Sequence, residues 1–287
     1  MDTAWDLLAF PRLCGLIARK PTRLSQEMHN AGFKALGLPF CYVAFDIEDT
    51  SAALQAMRKM GFRGLSLTIP HKENAIPLLD SIDPTAKTIG AVNTVINDGR
   101  ELRGYNTDWI GIRDALGEAK IELKGKRALI YGAGGASRAA ILALQTLECA
   151  EILLCNRSAQ RAEALAKEFK TKIVLESALP ELAASGGVDL VVNSTPIGSK
   201  LESGLNPLTV FFTDVFTKSR PALFEMVTRE TPLEKAARAA AVKVVPGSRM
   251  LLFQALEQFR LFTTHQAPTA ILDAALQTAL IQRGSNS

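Results

Sequence analysis

"ALIYGAGGASRAAILALQTL", residues 128–147, is the stretch on which the architecture turns. An apolar run ending at Tyr131 meets Gly132, Gly134 and Gly135, and an apolar pattern at helical spacing follows. A strand, a glycine turn and a helix in that order form the setting in which a loop cradles a pyrophosphate. Glycine permits the tight turn and the close approach of backbone to phosphate. The next helix N-terminus contributes free N–H groups and the positive end of its dipole. The spacing is GxGGxxR, with Ser137 at the sixth position where GxGxxG would have glycine.

The following strand selects the nucleotide. A site for NAD usually carries Asp or Glu at the end of that strand, roughly 20 residues on, for the ribose hydroxyls. Here "EILLCNRS" ends in Asn156, Arg157 and Ser158, and Arg161 lies one helical turn beyond. A guanidinium at that place suits a 2′-phosphate through charge-assisted bonds. The expected cofactor is therefore NADP.

Outward from this unit, strand-like and helix-like segments alternate. Toward the N-terminus these are "CYVAFDI" (41–47), the helical "TSAALQAMRKMG" (50–61), "GLSLTIP" (64–70), the helical "HKENAIPLLDSI" (71–82) and "AVNTVIN" (91–97). Asp98-Gly99 then precedes "ELRGYNTD" (101–108), a hairpin signal that requires one antiparallel pairing. A polar break is read at "LGEAKIELKGKR" (116–127). After the glycine loop come strands in "GVDLVVNSTPIG" (187–198), "ALFEMV" (222–227) and "VKVVPG" (242–247), and from Ser248 the pattern is helical. The expectation is an α/β chain of two domains. An N-terminal domain with a mixed sheet spans 1–111, with helices of 248–287 packing back on it, and a Rossmann-like dinucleotide domain spans 112–247.

Bulk properties fit that reading. The 287 residues are 47% hydrophobic and 22% charged, with a formal net charge of +4, ordinary for a chain with a real core. So slight a charge, without a basic-aromatic patch, gives no case for nucleic acid. Cys14, Cys41, Cys149 and Cys155 lack zinc-type spacing, no metal is expected, and the cysteines read as core thiols. "MDTAWDLLAFPRLCG" has no basic n-region before an apolar stretch, so it does not read as a signal peptide. No apolar run reaches the roughly 20 residues of a membrane span. A cytoplasmic location is expected.

With these pieces in order, the chain resembles the shikimate dehydrogenase family. The resemblance rests on eight ordered motifs: "LSQEMHN" (24–30), "LTIPHKE" (67–73), "GAVNTV" (90–95), "GYNTDWIG" (104–111), "GAGGASRA" (132–139), "NRS" (156–158), "NSTPIG" (193–198) and "GSRMLLFQA" (247–255). It implies a two-domain enzyme that interconverts 3-dehydroshikimate and shikimate with NADP. Lys72 and Asp108 match the family's acid–base pair. Ser25, Thr68, Asn93 and Gln254 match its substrate contacts. Gly134, Gly135 and Ala136 would meet the phosphates, with Asn156, Arg157 and Arg161 around the 2′-phosphate. Thr195, Pro196 and Ile197 match a loop near the cofactor, and Gly247, Met250 and Leu251 lie near the nicotinamide. The chemistry needs such groups, because hydride leaves a secondary alcohol only as the hydroxyl proton is removed. His71 matches no family role and is read as packing or facing water.

Departures from the family collect at the substrate end. Arg23 stands where the first of two serines is usual, Gln26 where a proline is usual, and Thr22 is a substitute hydroxyl. Ser66 replaces an asparagine, and "FEMVTRETPL" (224–233) lacks the family tyrosine. The redox pair and NADP loop are spared, as in a divergent, shikimate dehydrogenase-like branch. Quinate or another cyclic polyol acid is therefore an alternative substrate, and a non-catalytic NADP-binding module is an alternative of another class. A monomer or a homodimer is expected.

Overall fold

The structure, a computed structural model, describes residues 11–199, 202, 204–212 and 220–284. The reading of residues 1–10 as free of a signal peptide falls outside them. The chain forms two compact units, Met1–Thr107 with Gln254–Ser287, and Asp108–Phe253.

The first unit contains β1 (Arg12–Ala18), α1 (Leu24–Ala35), β2 (Phe40–Asp46), α2 (Thr50–Met60), β3 (Gly64–Leu67), α3 (His71–Asn74), β4 (Ser81–Ile82), α4 (Pro84–Ile89), β5 (Thr94–Asn97) and β6 (Leu102–Tyr105). Its sheet runs β2-β1-β3-β5-β6-β4. β1 pairs in parallel with β2 and β3, whereas β5 is antiparallel to β3 and β6, so the sheet is mixed. The Asp98-Gly99 hairpin joins β5 and β6 as its sequence requires. Strand alternation divides the faces. Leu65, Leu67 and Val95 pack with Ala53, Leu54 and Met57 of α2 on one side.

In the second unit, α5 (Asp108–Glu118) is followed by β7 (Arg127–Tyr131), α6 (Gly135–Thr146), β8 (Glu151–Cys155), α7 (Ala159–Phe169), β9 (Lys172–Ile173), α8 (Leu179–Ser185), β10 (Leu190–Asn193), β11 (Ala222–Glu225), α9 (Pro232–Ala239) and β12 (Val244–Val245). The sheet, β12-β11-β10-β7-β8-β9, is parallel throughout. β10 is buried along its whole length, as a central parallel strand must be. Order reverses between β7 and β10, the topological switch point of a Rossmann-like sheet. α10 (Gly247–Thr263) starts in this unit, and from Gln254 onward it and α11 (Thr269–Gly284) belong to the first. There Phe262 lies against Gly64, and Phe259 and Leu272 lie against Gly32 of α1, covering the second sheet face.

Several local readings change. The helix expected over 71–82 is one turn, His71–Asn74, followed by a 3₁₀ turn at Ile76–Leu78, because Pro77 cannot supply an N–H to a continuing helix. α5 runs to Glu118, three residues into the polar stretch read as a break. β1 was not anticipated from "RLCGLIA". Cys14 and Cys155 are buried, but Cys41 and Cys149 are only half-buried; Cys41 stands on β2, an edge strand. That edge is closed by α1. Gln26 Oε1 accepts the Ala44 N–H at 3.1 Å, and Asn30 exchanges two bonds with the Tyr42 backbone at 2.8 and 2.9 Å. Two amides one helical turn apart thus substitute for a missing strand.

Candidate active site

Gly132 follows β7 with φ +131°, and a Cβ there would sit 2.3 Å from Ser194 Oγ, just beyond β10. Only glycine fits this approach. Ser194 Oγ donates to the Tyr131 carbonyl at 2.8 Å and lies 2.8 Å from Ser137 Oγ, which accepts the Gly134 N–H at 3.2 Å. Ser137, at the sixth position of the loop, thereby ties the start of α6 to the switch point. Gly134 is exposed, and a Cβ there would meet nothing within 4 Å. Gly135 and Ala136 open the 12-residue α6. An open glycine turn before a helix N-terminus fits a dinucleotide pyrophosphate.

Beyond β8, Asn156 Nδ2 donates to the Ser158 carbonyl at 2.9 Å and shapes the turn into α7. Arg157 and Arg161 are exposed, and Arg157 donates to Glu202 at 3.2 Å. No carboxylate stands at the end of β8, so these donors suit an extra phosphate. On the other side of the switch point, Asn193 Oδ1 accepts from Thr195 N at 3.1 Å and Oγ1 at 2.6 Å. Thr195 Oγ1 in turn accepts the Ile197 N–H at 3.4 Å across Pro196. Gly247 is packed so tightly that a Cβ would lie 2.6 Å from the Met226 carbonyl oxygen. Met250 is buried and Leu251 half-buried on the first turn of α10.

In the first unit, His71 is fully buried and anchors α3. Its Nε2 lies 2.8 Å from the Ile47 carbonyl, so this nitrogen donates, and Nδ1 accepts from Thr50 Oγ1 at 2.7 Å. Lys72, half-buried beside it, has its carbonyl tied to Val92 N–H at 2.8 Å. Next along the chain is Asn93, also buried. Its Oδ1 accepts Thr107 N–H at 2.7 Å and Thr94 Oγ1–H at 2.9 Å, and its Nδ2 donates to Thr107 Oγ1 at 3.0 Å. Gln258 Nε2 donates to Thr94 Oγ1 at 3.0 Å, extending the network to α10. Thr107 immediately precedes Asp108, which is buried in the first turn of α5.

Ser66 lies on the sheet face that Gly64 turns toward Phe262 and is buried, and Thr68, just beyond β3, is half-buried. Tyr42 Oη donates to Ser66 Oγ at 2.8 Å. Burial raises the Tyr42 pKa, with Ser66 and Ser25 hydroxyls opposing, so the phenol keeps its proton. Ser25 is buried in the first turn of α1. Thr22 is half-buried, and Arg23, the N-cap residue, is exposed and makes no side-chain cap. Gln254, one turn before Gln258 on α10, has its Oε1 buried without a partner. Sequence reading missed Tyr42, Thr107, Gln258, Asn193 and Ser194. Only Thr107, Asn193 and Ser194 stand inside the motifs that flagged their neighbours.

This geometry meets the comparisons directly. The family model of the shikimate dehydrogenase substrate-binding domain matches residues 21–95, and that of shikimate/quinate 5-dehydrogenase matches residues 115–200. The NADP(+) shikimate dehydrogenase of Moorella thermoacetica is 40% identical over 269 residues, 90% of this chain and 89% of that protein. The chain belongs to the shikimate dehydrogenase family. Among solved structures, shikimate dehydrogenase from Aquifex aeolicus superposes with a TM-score of 0.83 at 35% identity, covering 93% of this chain and 98% of that one. The Thermus thermophilus enzyme in complex with NADP(H) and shikimate gives 0.80 at 35% identity, covering 94% of this chain and all of that one. The first unit is thus the part that resembles the family's substrate-binding domain, and the second resembles its Rossmann-like half.

Proposed function

We propose that this protein is an NADP-dependent oxidoreductase that interconverts 3-dehydroshikimate and shikimate. The observation that carries the reading is the open glycine turn with arginines and no acid beyond β8; in the first unit, Lys72 stands on a helix anchored by His71, and Thr107 and Thr94 orient the Asn93 amide. The relative solved with NADP(H) and shikimate supports it. Gly132, Gly134, Gly135 and Ala136 would hold the pyrophosphate. Asn156, Arg157, Ser158 and Arg161 would hold the adenosine 2′-phosphate. Thr195, Pro196 and Ile197 would form a loop beside the cofactor, and Gly247, Met250 and Leu251 would border the nicotinamide. When bound, that ring supplies or accepts the hydride at the carbinol carbon.

The chain's own residues do the rest. Lys72 gives or takes the hydroxyl proton, and Asp108, the other member of the proposed acid–base set, orients the neighbouring hydroxyl. Thr22, Ser25, Ser66, Thr68, Asn93 and Gln254 orient the ring acid so that the reacting carbon is held in one pose. Asn93 is well suited to this, because both polar atoms of its amide are already fixed by Thr107 and Thr94. The catalytic domain is residues 1–111 with 248–287, and the NADP domain is 112–247. The enzyme works in the cytoplasm on the route to aromatic amino acids, as a monomer or homodimer. Four free cysteines accord with a reducing compartment.

Quinate is the second reading. Arg23, Gln26 and Ser66 alter the substrate end, and the matching family description covers quinate as well as shikimate. Initial rates with shikimate and quinate, each with NADP and NAD, separate the cases. The expected result is highest kcat/KM for shikimate with NADP. Turnover of quinate without turnover of shikimate would transfer the assignment to the second reading.

A further inference from the structure

β11 ends in Glu225, which is completely buried. Its Oε1 accepts Asn193 Nδ2–H at 2.8 Å and Val227 N–H at 3.0 Å, and its Oε2 accepts Thr231 Oγ1–H at 2.9 Å. Each bond reaches a different piece of the cofactor half. With its amide hydrogens directed at Glu225, Asn193 must turn its oxygen to Thr195, and this sets the Thr195–Ile197 loop. Val227 and Met226 form the backbone ledge against which Gly247 packs, 2.6–2.7 Å from any Cβ placed there. Thr231 caps α9 by accepting Glu234 N–H at 3.1 Å, and Gly198 rests on it, 2.9 Å from a Cβ at that glycine to the Thr231 side chain.

We propose that Glu225 is a positioning residue for the nicotinamide end of the NADP site, fixing the Thr195–Ile197 loop and the Gly247 turn in one mutual arrangement. The inference rests on the reading of those segments as cofactor contacts; Glu225 itself touches none of the cofactor residues except through Asn193 and the Val227 ledge. All three of its partners are donors, which is the pattern an ionised carboxylate satisfies. Burial opposes ionisation and raises its pKa to about 7, with the hydrogen bonds lowering and Glu234 raising it. Glu234, the charged group that acts on it, is itself bonded to Arg238 at 2.6 Å; the hydrogen-bond partners of Glu225 (Asn193, Val227 and Thr231) carry no charge, and Arg229 and Glu230 stand in the same 226–231 turn.

The test is NADPH affinity, read from nicotinamide fluorescence without turnover. Glu225→Ala removes all three acceptor contacts and is expected to weaken NADPH about tenfold or more. The KM for the ring acid stays unchanged. Glu225→Gln keeps an oxygen for Asn193 and Val227 and presents an NH2 to Thr231, so it restores affinity to within about threefold of wild type. Equal affinity in folded Glu225→Ala and wild type overturns the proposal. Failure of Glu225→Gln to rescue also overturns it, since charge and not bonding geometry would then be the cause. If Glu225→Ala does not fold, Thr231→Val decides: a loss of about threefold in NADPH affinity supports the role, and no change overturns it. A wild-type protein that binds no NADPH would instead defeat the cofactor assignment on which the inference stands.

Discussion

His71 and Lys72 are neighbours with opposite fates. His71 spends both ring nitrogens inside the core, on Thr50 and Ile47, and so holds the one-turn helix from which Lys72 emerges half-buried. In the proposed mechanism the buried histidine thus positions the proton-transferring lysine. Arg157 shows the same division at the cofactor end. It is exposed and, among the described residues, donates to Glu202 at 3.2 Å, a surface partner that a phosphate can replace. Surface pairs of this kind contribute little to stability, about 0–1 kcal/mol. Arg157→Ala should therefore leave the melting temperature unchanged while raising KM for NADP roughly tenfold and leaving KM for NAD alone. Parallel losses for both nucleotides would contradict the assignment of Arg157 to the 2′-phosphate.

At the scale of elements, the edge of β2 depends on two amides of α1. Asn30 satisfies both backbone groups of Tyr42, and Tyr42 in turn supports Ser66. Asn30→Ala leaves that edge short of two partners and should cost about 1–3 kcal/mol in chemical denaturation. An unchanged midpoint would show that water replaces the side chain at no cost. The elements themselves were readable to differing degrees. The β7–loop–α6 unit was legible because its signals are local: apolar run, glycines, helical period. The hairpin at Asp98-Gly99 was legible for the same reason. β1 was not, since "RLCGLIA" becomes a strand only through pairing with β2 and β3 on either side. α3 was overextended because apolar spacing concealed the effect of Pro77. Of the proposed site residues, Lys72, Asn93 and Asp108 stood in recognisable motifs. Tyr42, Gln258 and Glu225 did not, because which buried hydroxyl or carboxylate ends beside which strand is settled by tertiary packing and leaves no periodic trace.

Over the whole molecule, two buried ionisable groups give the two units opposite responses to acid. His29 in the first unit is enclosed by Tyr42, Phe33, Phe259 and Phe262, and burial lowers its pKa from 6.5 to about 3. A depressed base contributes stability that is complete above 6.5 and is lost as pH falls toward 3. Glu225 in the second unit is raised from 4.5 to about 7, so its contribution is complete below 4.5 and is lost as pH rises through 7. Between roughly pH 5 and pH 6.5 the first unit should gain stability with pH and the second should lose it. Thermal unfolding across that range should show His29→Leu flattening one slope and Glu225→Gln flattening the other. Slopes identical to wild type in both variants would remove these residues from the account.

The central claim is that Lys72 carries the proton in an NADP-linked oxidation of shikimate. The most direct measurement is formation of NADPH from shikimate and NADP by wild type and by Lys72→Ala, with NADPH binding measured on both. The account predicts steady turnover by wild type, a fall of roughly 10²–10⁴ in kcat for the variant, and equal NADPH affinity in the two. Turnover by Lys72→Ala within a few-fold of wild type would contradict it.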